Sequence, residues 1–316
     1  MAGASQDVIF EELKQELMGQ KVTIKENELL AEHTSFRIGG PARLWVEAGD
    51  EAAVERVVRF CFRRRMVLWV LGAGTNVLVS DQGLRGVVLK LTGRLAEVRF
   101  DGTAVHAGAG ARLDDIVDGA ERAGLAGAEF LAGIPGTVGG GLRTNAGAFG
   151  RSLSDILESV TALDRKGNRI TIGREGLRSE YRKAVIDESQ IALAVVLRLE
   201  PGKPKPAAEL RRQRWGKHPN EASAGSFFKN PKEEPAGSLI ERCGLKGRTV
   251  GKARVSERHA NFIVNMGNAR FSDVLELSQL VKATVEERTG IVLEEEVQIL
   301  PGPVGDGLSP DVSDRR

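Results

Sequence analysis

Two glycine-rich segments in the first half of the chain have the composition of ligand-binding loops. The first, Leu71–Val79, places Gly72 and Gly74 directly after a short apolar run. Glycine there lets backbone N–H groups turn inward and approach a phosphate more closely than a side chain would allow. The segment has no Walker Gly-Lys-Ser/Thr ending and precedes a β-like run rather than a helix. A tight turn between strands is the alternative interpretation.

The second segment, Gly133–Gly150, holds seven glycines in 18 positions and few charges to keep a disordered linker solvated. Thr137 and Asn145 add hydrogen-bonding groups to backbone that could pass close to a flat ligand. Two such loops in one domain favour two bound phosphates, or a pyrophosphate with a ring system. A glycine-rich structural crossing is the alternative.

The overall composition limits the function classes. A chain of 316 residues with 41% apolar and 28% charged residues is typical of a globular protein with one or two domains. A net charge of +2 excludes general nucleic-acid binding, and no apolar run reaches the roughly 18–20 residues of a membrane span. The N-terminus lacks a signal-peptide pattern, and Cys61 and Cys243 are the only cysteines. We therefore expect a cytoplasmic protein without disulfides or a bound metal.

The elements that must position these loops follow from hydrophobic periodicity, which predicts an α+β fold. Helices are predicted after the N-cap Asp50, over Leu113–Ala120, through Arg211 and over Ser272–Thr289. Strands are predicted at Met66–Leu71, Val87–Leu89, Val98–Phe100, Thr103–Ala107, Ser159–Leu163, Arg169–Ile172, Ile191–Leu199 and Ile291–Leu300.

The predicted domain boundaries follow from composition. Residues 1–30 form an N-terminal helix and strand, and residues 31–200 form a nucleotide-sized domain. The proline-rich segment 201–206 is the predicted linker, because it suits neither a helix nor a central strand. Residues 207–301 form a smaller domain, and residues 302–316 are predicted to be a disordered tail.

The two glycine loops, followed in order by three later motifs, resemble the UDP-N-acetylenolpyruvoylglucosamine reductase (UDP-N-acetylmuramate dehydrogenase) family. The later motifs are Tyr181-Arg182, Gly225–Pro231 and Glu296-Val297, and the resemblance extends from His33 to about Leu300. Tyr181 is the only tyrosine, so the tyrosine-bearing insertion of longer members is expected to be absent, as in the shorter subtype. The chain departs from the family pattern at Ala73, Phe149, Ala184 and Gln298, and Gln298 leaves the charge balance around Glu296 open.

The resemblance implies a vanillyl-alcohol-oxidase (PCMH) type of FAD-binding domain in two subdomains, plus a smaller α+β substrate-binding domain. It implies an oxidoreductase of peptidoglycan synthesis that reduces UDP-N-acetylglucosamine enolpyruvate to UDP-N-acetylmuramate, with NADPH as co-substrate. None of the four histidines lies in a glycine loop, so we expect the FAD to be non-covalent. A monomer with small-molecule partners only is expected.

The resemblance also implies site residues. The cofactor-binding set is Gly72, Ala73, Gly74, Thr75 and Asn76 in the first loop, with Gly133, Ile134, Pro135, Gly136, Thr137, Gly139, Gly140, Asn145 and Gly147 in the second. Arg182, a permanent cation, and Glu296 as its acidic companion would stabilise the enolate left by hydride addition. Ser226 would donate the proton that completes the reduction. The substrate contacts would be Tyr181, Lys229, Asn230 and His259.

Each catalytic residue has a plainer interpretation without the resemblance. Arg182 would be a surface arginine at a strand end, and the segment Gly225–Phe228 a turn before a strand. Strand alternation puts Glu295 on an apolar face and both Glu294 and Glu296 on the other, so only the Glu-Val motif selects Glu296. Two other function classes stay open. One is a flavin oxidase of a sugar or hydroxy acid on the same fold, and the other is a non-enzymatic flavin- or UDP-sugar-binding module.

Overall fold

The computed structural model describes residues 6–180 and 183–302. The chain forms two compact units. Within the described residues, the first comprises residues 6–25, 44–73, 87–180 and 183–218, and the second comprises residues 26–43, 74–86 and 219–302. The predicted catalytic residues Ser226 and Glu296 therefore belong to the same unit.

The described residues form α-helices interspersed with runs of strands. The helices are α1 (Gln6–Glu16), α2 (Glu51–Arg64), α3 (Leu113–Arg122), α4 (Val138–Thr144), α5 (Leu153–Ile156), α6 (Ala207–Trp215), α7 (Ala236–Arg242) and α8 (Phe271–Thr289). The strands are β1 (Val22–Leu29), β2 (Pro41–Ala48), β3 (Leu68–Val70), β4 (Val77–Val79), β5 (Leu84–Leu91), β6 (Val98–Asp101), β7 (Ala104–Gly108), β8 (Leu125–Ala126), β9 (Gly147–Ala148), β10 (Arg151–Ser152), β11 (Leu157–Leu163), β12 (Arg169–Gly173), β13 (Ile191–Arg198), β14 (Glu200–Pro201), β15 (Ala222–Ser223), β16 (Thr249–Val250), β17 (Ala253–Val255), β18 (Ile263–Asn265) and β19 (Gln298–Leu300). The predicted α+β class is confirmed.

The first unit contains an antiparallel five-stranded sheet in the order β12-β11-β13-β7-β6. The predicted hairpin of β11 and β12 is confirmed, with Val160 opposite Ile172. Helix α3 packs on this sheet because Ile116 and Val117 share one face of the helix and are buried with Val195. The core therefore supports the second glycine loop, whose Val138 belongs to the same cluster.

A second sheet, in the order β1-β2-β5-β3, carries the first glycine loop. Strand β3 pairs in parallel with β5 and leads directly to Gly72. Helix α2 begins after Asp50, whose carboxylate accepts a 3.0 Å hydrogen bond from the Ala53 N–H, so the predicted N-cap is confirmed. Its Val54 and Val57 are fully buried among the residues of this sheet.

The second unit is built around α8 and the antiparallel sheet β15-β18-β17-β16. Helix α8 ends at Gly290 in the left-handed conformation (φ 71°), where glycine costs least, and confirms the predicted stop. Its Leu277 and Val281 are fully buried with Phe227 and Phe228 of the predicted catalytic motif. Strand β19 pairs in parallel with β4, with Gln298 opposite Val77.

Several sequence predictions differ from the structure. The strand predicted over Ile291–Leu300 is present only as β19, because residues 291–297 make a single isolated bridge, Phe228 to Glu295. The strand predicted over Met66–Leu71 is only β3. Helix α4 was not predicted, because glycine lowers helix propensity by about 1 kcal/mol per residue. The predicted tail lies outside the described residues beyond Gly302.

The predicted linker at residues 201–206 differs from the boundary between the units, which falls after His218. Pro201 lies in β14, which pairs with β8 of the first unit. Helix α6 also belongs to the first unit, because Arg211 forms ion pairs with Asp114 and Asp118. Within the described residues, no helix combines the length and apolarity needed to cross a bilayer.

Both cysteines are free, buried thiols. Burial raises the pKa of the Cys61 thiol to about 12, so the reactive thiolate is scarce near neutral pH. We expect a thiol reagent at about pH 8 to label neither cysteine of the native protein and both after unfolding in denaturant. Labelling of Cys61 in the native state at the rate of a free thiol would contradict this burial.

Candidate active site

The two glycine loops meet in the first unit at Gly72 and Thr137. A Cβ added to Gly72 would lie only 2.4 Å from the Thr137 Oγ1, closer than any real side chain allows. Residues 65 positions apart in sequence are thus in contact, because the end of β3 lies next to the start of α4. Glycine at position 72 is required by this approach, which brings the two predicted cofactor loops together.

In the second unit, Gly74 is held by the segment that opens the family resemblance. Its φ is +63°, and an added Cβ would lie 2.0 Å from the His33 carbonyl oxygen. The Ser35 N–H donates to the Gly74 carbonyl at 3.0 Å. The Ser35 hydroxyl donates to the Ser223 carbonyl at 2.7 Å. Ser35 therefore fixes the first loop beside the strand that precedes Ser226, a role that the sequence analysis missed.

The second loop enters helix α4 through Thr137. The Thr137 Oγ1 accepts a 3.2 Å hydrogen bond from the Gly140 N–H and caps the helix. The Gly139 N–H donates to the Ala109 carbonyl at 2.7 Å. A Cβ on Gly139 would lie 3.1 Å from the same Ala109 oxygen, so the backbone here rests directly on the sheet. Helix α4 is thereby anchored beneath the loop.

Backbone donors for a ligand remain in both loops. Among residues 6–180 and 183–302, the N–H groups of Gly72, Ala73, Gly136 and Thr137, all in the first unit, make no hydrogen bond. Clusters of free backbone N–H groups bind anions. Glycines that allow close approach and a set of free donors together fit the pyrophosphate of FAD.

Other predicted cofactor residues have structural roles. The Asn145 side chain is buried and bonds with Ser154 and the Glu180 carbonyl, so its amide belongs to the scaffold. A Cβ on Gly147 would lie 2.3 Å from the Arg151 carbonyl oxygen, so this glycine is required by the turn between β9 and β10. Pro135 and Ala73 are exposed on the loop surfaces, where a ligand could reach them.

In the second unit, the predicted proton donor and the predicted acidic residue lie on neighbouring backbone segments. The Glu296 N–H donates to the Phe227 carbonyl at 2.8 Å. The Lys229 N–H donates to the Glu294 carbonyl at 2.8 Å, and Phe228 forms an antiparallel bridge with Glu295. Ser226, directly before Phe227, is half-buried. Two motifs separated along the chain are thus brought together by main-chain pairing.

Asn261 fixes this pairing and was not found in the sequence analysis. Its buried side chain accepts from the Phe228 N–H at 2.9 Å and donates to the Phe228 carbonyl at 2.8 Å. Its own carbonyl accepts from the Phe227 N–H at 2.7 Å. A single asparagine outside any motif carries no sequence signal, so only the fold identifies it.

The first glycine loop is hydrogen-bonded to the segment that contains Glu296. The Asn76 amide donates to the Glu296 carbonyl at 3.1 Å, and the Gln298 N–H donates to the Asn76 carbonyl at 3.0 Å. Gln298, a departure from the family pattern, is exposed and contributes its backbone to this contact. One network therefore connects a predicted cofactor residue with the backbones of Phe227 and Glu296.

The three consecutive glutamates have different surroundings. Glu294 pairs with Lys229 at 3.1 Å on the exposed surface. Both carboxylate oxygens of Glu295 accept from the Lys282 ammonium, at 2.9 and 3.0 Å, at the edge of α8. Lysine partners therefore account for two members of the triplet, and Glu296 is half-buried next to Val297.

Three of the predicted substrate contacts, Lys229, Asn230 and His259, lie in the second unit. Lys229 is engaged with Glu294, and the Asn230 side chain accepts from the Ala236 N–H at 3.1 Å at the start of α7. The His259 ring accepts from the Asn261 N–H and packs edge-on against Phe262, with ring centres 4.9 Å apart. His259 thus lies next to the asparagine that fixes the catalytic motif. Tyr181 and Arg182 lie outside the described residues.

Two family models match consecutive parts of the chain. A family model for an FAD binding domain matches residues 42–173, which include both glycine loops. A model for the C-terminal domain of UDP-N-acetylenolpyruvoylglucosamine reductase matches residues 217–300, which include Ser226 and Glu296. The predicted FAD-binding domain is therefore confirmed.

Individual relatives are similar over most of the chain. UDP-N-acetylenolpyruvoylglucosamine reductase 2 of Symbiobacterium thermophilum is 43% identical over 285 residues, 87% of this chain and 92% of its own length. The reductase of Caldanaerobacter subterraneus is 39% identical over 300 residues, 93% of this chain and 98% of its own. The crystal structure of the Thermus caldophilus reductase has a TM-score of 0.75 and 35% identity, and the match covers 89% of this chain and 100% of that one. The chain belongs to the UDP-N-acetylenolpyruvoylglucosamine reductase family.

Proposed function

We propose that this protein reduces UDP-N-acetylglucosamine enolpyruvate to UDP-N-acetylmuramate with NADPH, a step of peptidoglycan synthesis carried out in the cytoplasm. The observation that carries the proposal is the network in which Asn76 of a cofactor loop bonds with Glu296, and Glu296 with the backbone that follows Ser226. Family membership supports the same reaction.

The glycine loops would hold non-covalent FAD. Gly72, Ala73, Gly136 and Thr137 of the first unit would donate their free N–H groups to its phosphates. FAD, once reduced by NADPH, supplies the hydride that adds to the terminal carbon of the enolpyruvyl group. The remaining chemistry is the work of the side chains.

Hydride addition leaves the electron pair of the former double bond on the neighbouring carbon, from which it spreads into the substrate carboxylate as an enolate. A permanently charged arginine suits that carboxylate, and Arg182 with Glu296 would supply this environment. Lys229 and Asn230, with Tyr181 and His259, would contact the rest of the substrate. A monomer provides all of these residues.

Ser226 would protonate the enolate carbon and then recover its proton from solvent. A serine is a weak acid, so the transfer requires a strongly basic acceptor and a hydroxyl held in place. The backbone around Ser226 is held by Asn261 and by the segment of Glu296. Among residues 6–180 and 183–302, the Ser226 hydroxyl makes no hydrogen bond. It is thus available to a bound substrate.

Steady-state assays under nitrogen test this function. We expect NADPH oxidation that depends on added UDP-N-acetylglucosamine enolpyruvate, and acid precipitation of the purified yellow protein should leave all flavin in the supernatant. Oxygen consumption with a sugar or hydroxy acid in a parallel aerobic assay, without enolpyruvyl-dependent NADPH oxidation, would instead identify a flavin oxidase. Flavin with neither activity would indicate a binding module.

A further inference from the structure

Side chains of helix α6 donate hydrogen bonds to the backbone that leads into the second glycine loop. The guanidinium of Arg214 donates to the Phe130 carbonyl at 3.1 Å and to the Ala132 carbonyl at 2.9 Å. The Trp215 indole N–H donates to the Gly133 carbonyl at 3.3 Å. We call residues 130–133 the loop-entry segment. Three of its four carbonyl groups are thus bonded to α6 side chains.

The backbone N–H of Gly133, the last residue of the loop-entry segment, is bonded to a side chain of helix α3. The Gly133 N–H donates to Asp114 Oδ1 at 2.9 Å. The same carboxylate oxygen accepts from Arg211 Nε at 3.0 Å and Nη2 at 2.9 Å, and Arg211 also donates to Asp118 at 2.7 Å. Burial alone would lower the pKa of Arg211, but its bonds to Asp118 and Asp114 raise it. Asp114 therefore joins the loop to α6 through a charged pair.

Side chains of helix α6 pack closely around Gly133. Its φ is +71°, and an added Cβ would lie 3.2 Å from Trp215 Nε1, 3.3 Å from Arg214 Cδ and 3.4 Å from Arg211 Cγ. Three residues further on, Gly136 begins the pair of free N–H donors that fit a phosphate. The position of those donors thus depends on where α6 holds the loop-entry segment.

We propose that Asp114, Arg211 and Arg214 are positioning residues for FAD, because they fix the loop-entry segment so that the N–H groups of Gly136 and Thr137 are preset for the cofactor. They act through the backbone and need no contact with FAD. The proposal rests on FAD as the cofactor but not on the enolpyruvyl substrate.

The test compares two neighbouring arginines of α6. Arg211→Ala removes the bridge to Asp114, whereas Arg212→Ala makes the same change in charge at an exposed position of the same helix. FAD affinity of the apoprotein is measured by quenching of flavin fluorescence, and thermal unfolding of the apoprotein is measured in parallel. We expect Arg211→Ala to weaken FAD binding about 10- to 100-fold, the loss typical of charge-assisted hydrogen bonds. Arg212→Ala should stay within about twofold of the parent protein.

Two further variants test the same charged pair of Arg211 and Asp114. Arg211→Lys should recover part of the affinity, because one ammonium retains the charge but not the fork that reaches both aspartates. If Arg211→Ala does not fold, Asp114→Asn is used instead. The asparagine amide oxygen can still accept from the Gly133 N–H, but the negative charge that pairs with Arg211 is gone. Equal FAD affinity in the folded Arg211→Ala and Arg212→Ala proteins would overturn the proposal, as would a lower unfolding temperature of the Arg211→Ala apoprotein with unchanged FAD affinity. A protein that binds FAD but does not reduce the enolpyruvyl substrate would overturn the proposed function alone.

Discussion

Replacing Ser226 by alanine is expected to lower turnover by about 10²–10⁴-fold, the effect of losing a positioned general acid. The FAD content, the rate of flavin reduction by NADPH and the substrate affinity should stay close to those of the unmodified protein. The reason is that Phe227 and Phe228 hold the backbone through main-chain bonds and Asn261, none of which involves the Ser226 hydroxyl. Single-turnover reoxidation of the reduced flavin by the enolpyruvyl substrate measures the affected step.

Ser223 provides the matched control for this substitution. It lies three residues earlier in the same unit, and its carbonyl rather than its hydroxyl accepts from Ser35. Ser223→Ala should therefore turn over like the parent, and Ser226→Cys should recover part of the loss because a thiol is the stronger acid. Reoxidation of the Ser226→Ala protein at the parent rate, with normal product, would remove Ser226 from the mechanism.

The second large effect is expected at Glu296. Glu296→Gln should lower the rate of flavin reoxidation by about 10²–10³-fold, because it removes the acidic companion of Arg182, the cation proposed to stabilise the enolate. Flavin reduction by NADPH should change little, because the substitution acts on the enolate and not on the cofactor loops. The two half-reactions are separated by rapid mixing under nitrogen.

The neighbouring glutamates show whether the effect is specific. Glu294→Gln removes an exposed pair with Lys229, and Glu295→Gln removes the pair with Lys282. Exposed ion pairs contribute about 0–1 kcal/mol, so Glu294→Gln should not affect turnover by more than a few-fold. The pair of Glu295 with Lys282 is half-buried, so Glu295→Gln should affect stability more than turnover. Equal losses in all three variants, or equal damage to both half-reactions of Glu296→Gln, would indicate a disturbed segment instead of a catalytic carboxylate.

The elements with strong periodicity were predictable from sequence. The cap of α2 at Asp50 and the end of α8 at Gly290 depend on contacts between residues that are close in sequence, so a local sequence pattern predicts them. Helix α4 was missed because its three consecutive glycines are poor helix formers, and Thr137 and the sheet beneath it hold the helix together.

The candidate site was predictable only in part. Strand alternation left Glu294 and Glu296 equivalent, and the structure shows Glu294 exposed in a pair with Lys229 and Glu296 half-buried. The strand expected over Ile291–Leu300 forms only as β19, and the residues before it pair with Phe227–Lys229 through one isolated bridge and two main-chain hydrogen bonds. Asn261 and Ser35 act through contacts between distant parts of the chain, which no local pattern encodes.

The most direct test of the proposed reaction is a single turnover under nitrogen. The purified protein is reduced with one equivalent of NADPH until the flavin is bleached, and UDP-N-acetylglucosamine enolpyruvate is then added. The proposed function predicts that the yellow colour returns and that mass spectrometry finds a product heavier than the substrate by one hydride and one proton. A flavin that stays bleached while the substrate is recovered unchanged would contradict it.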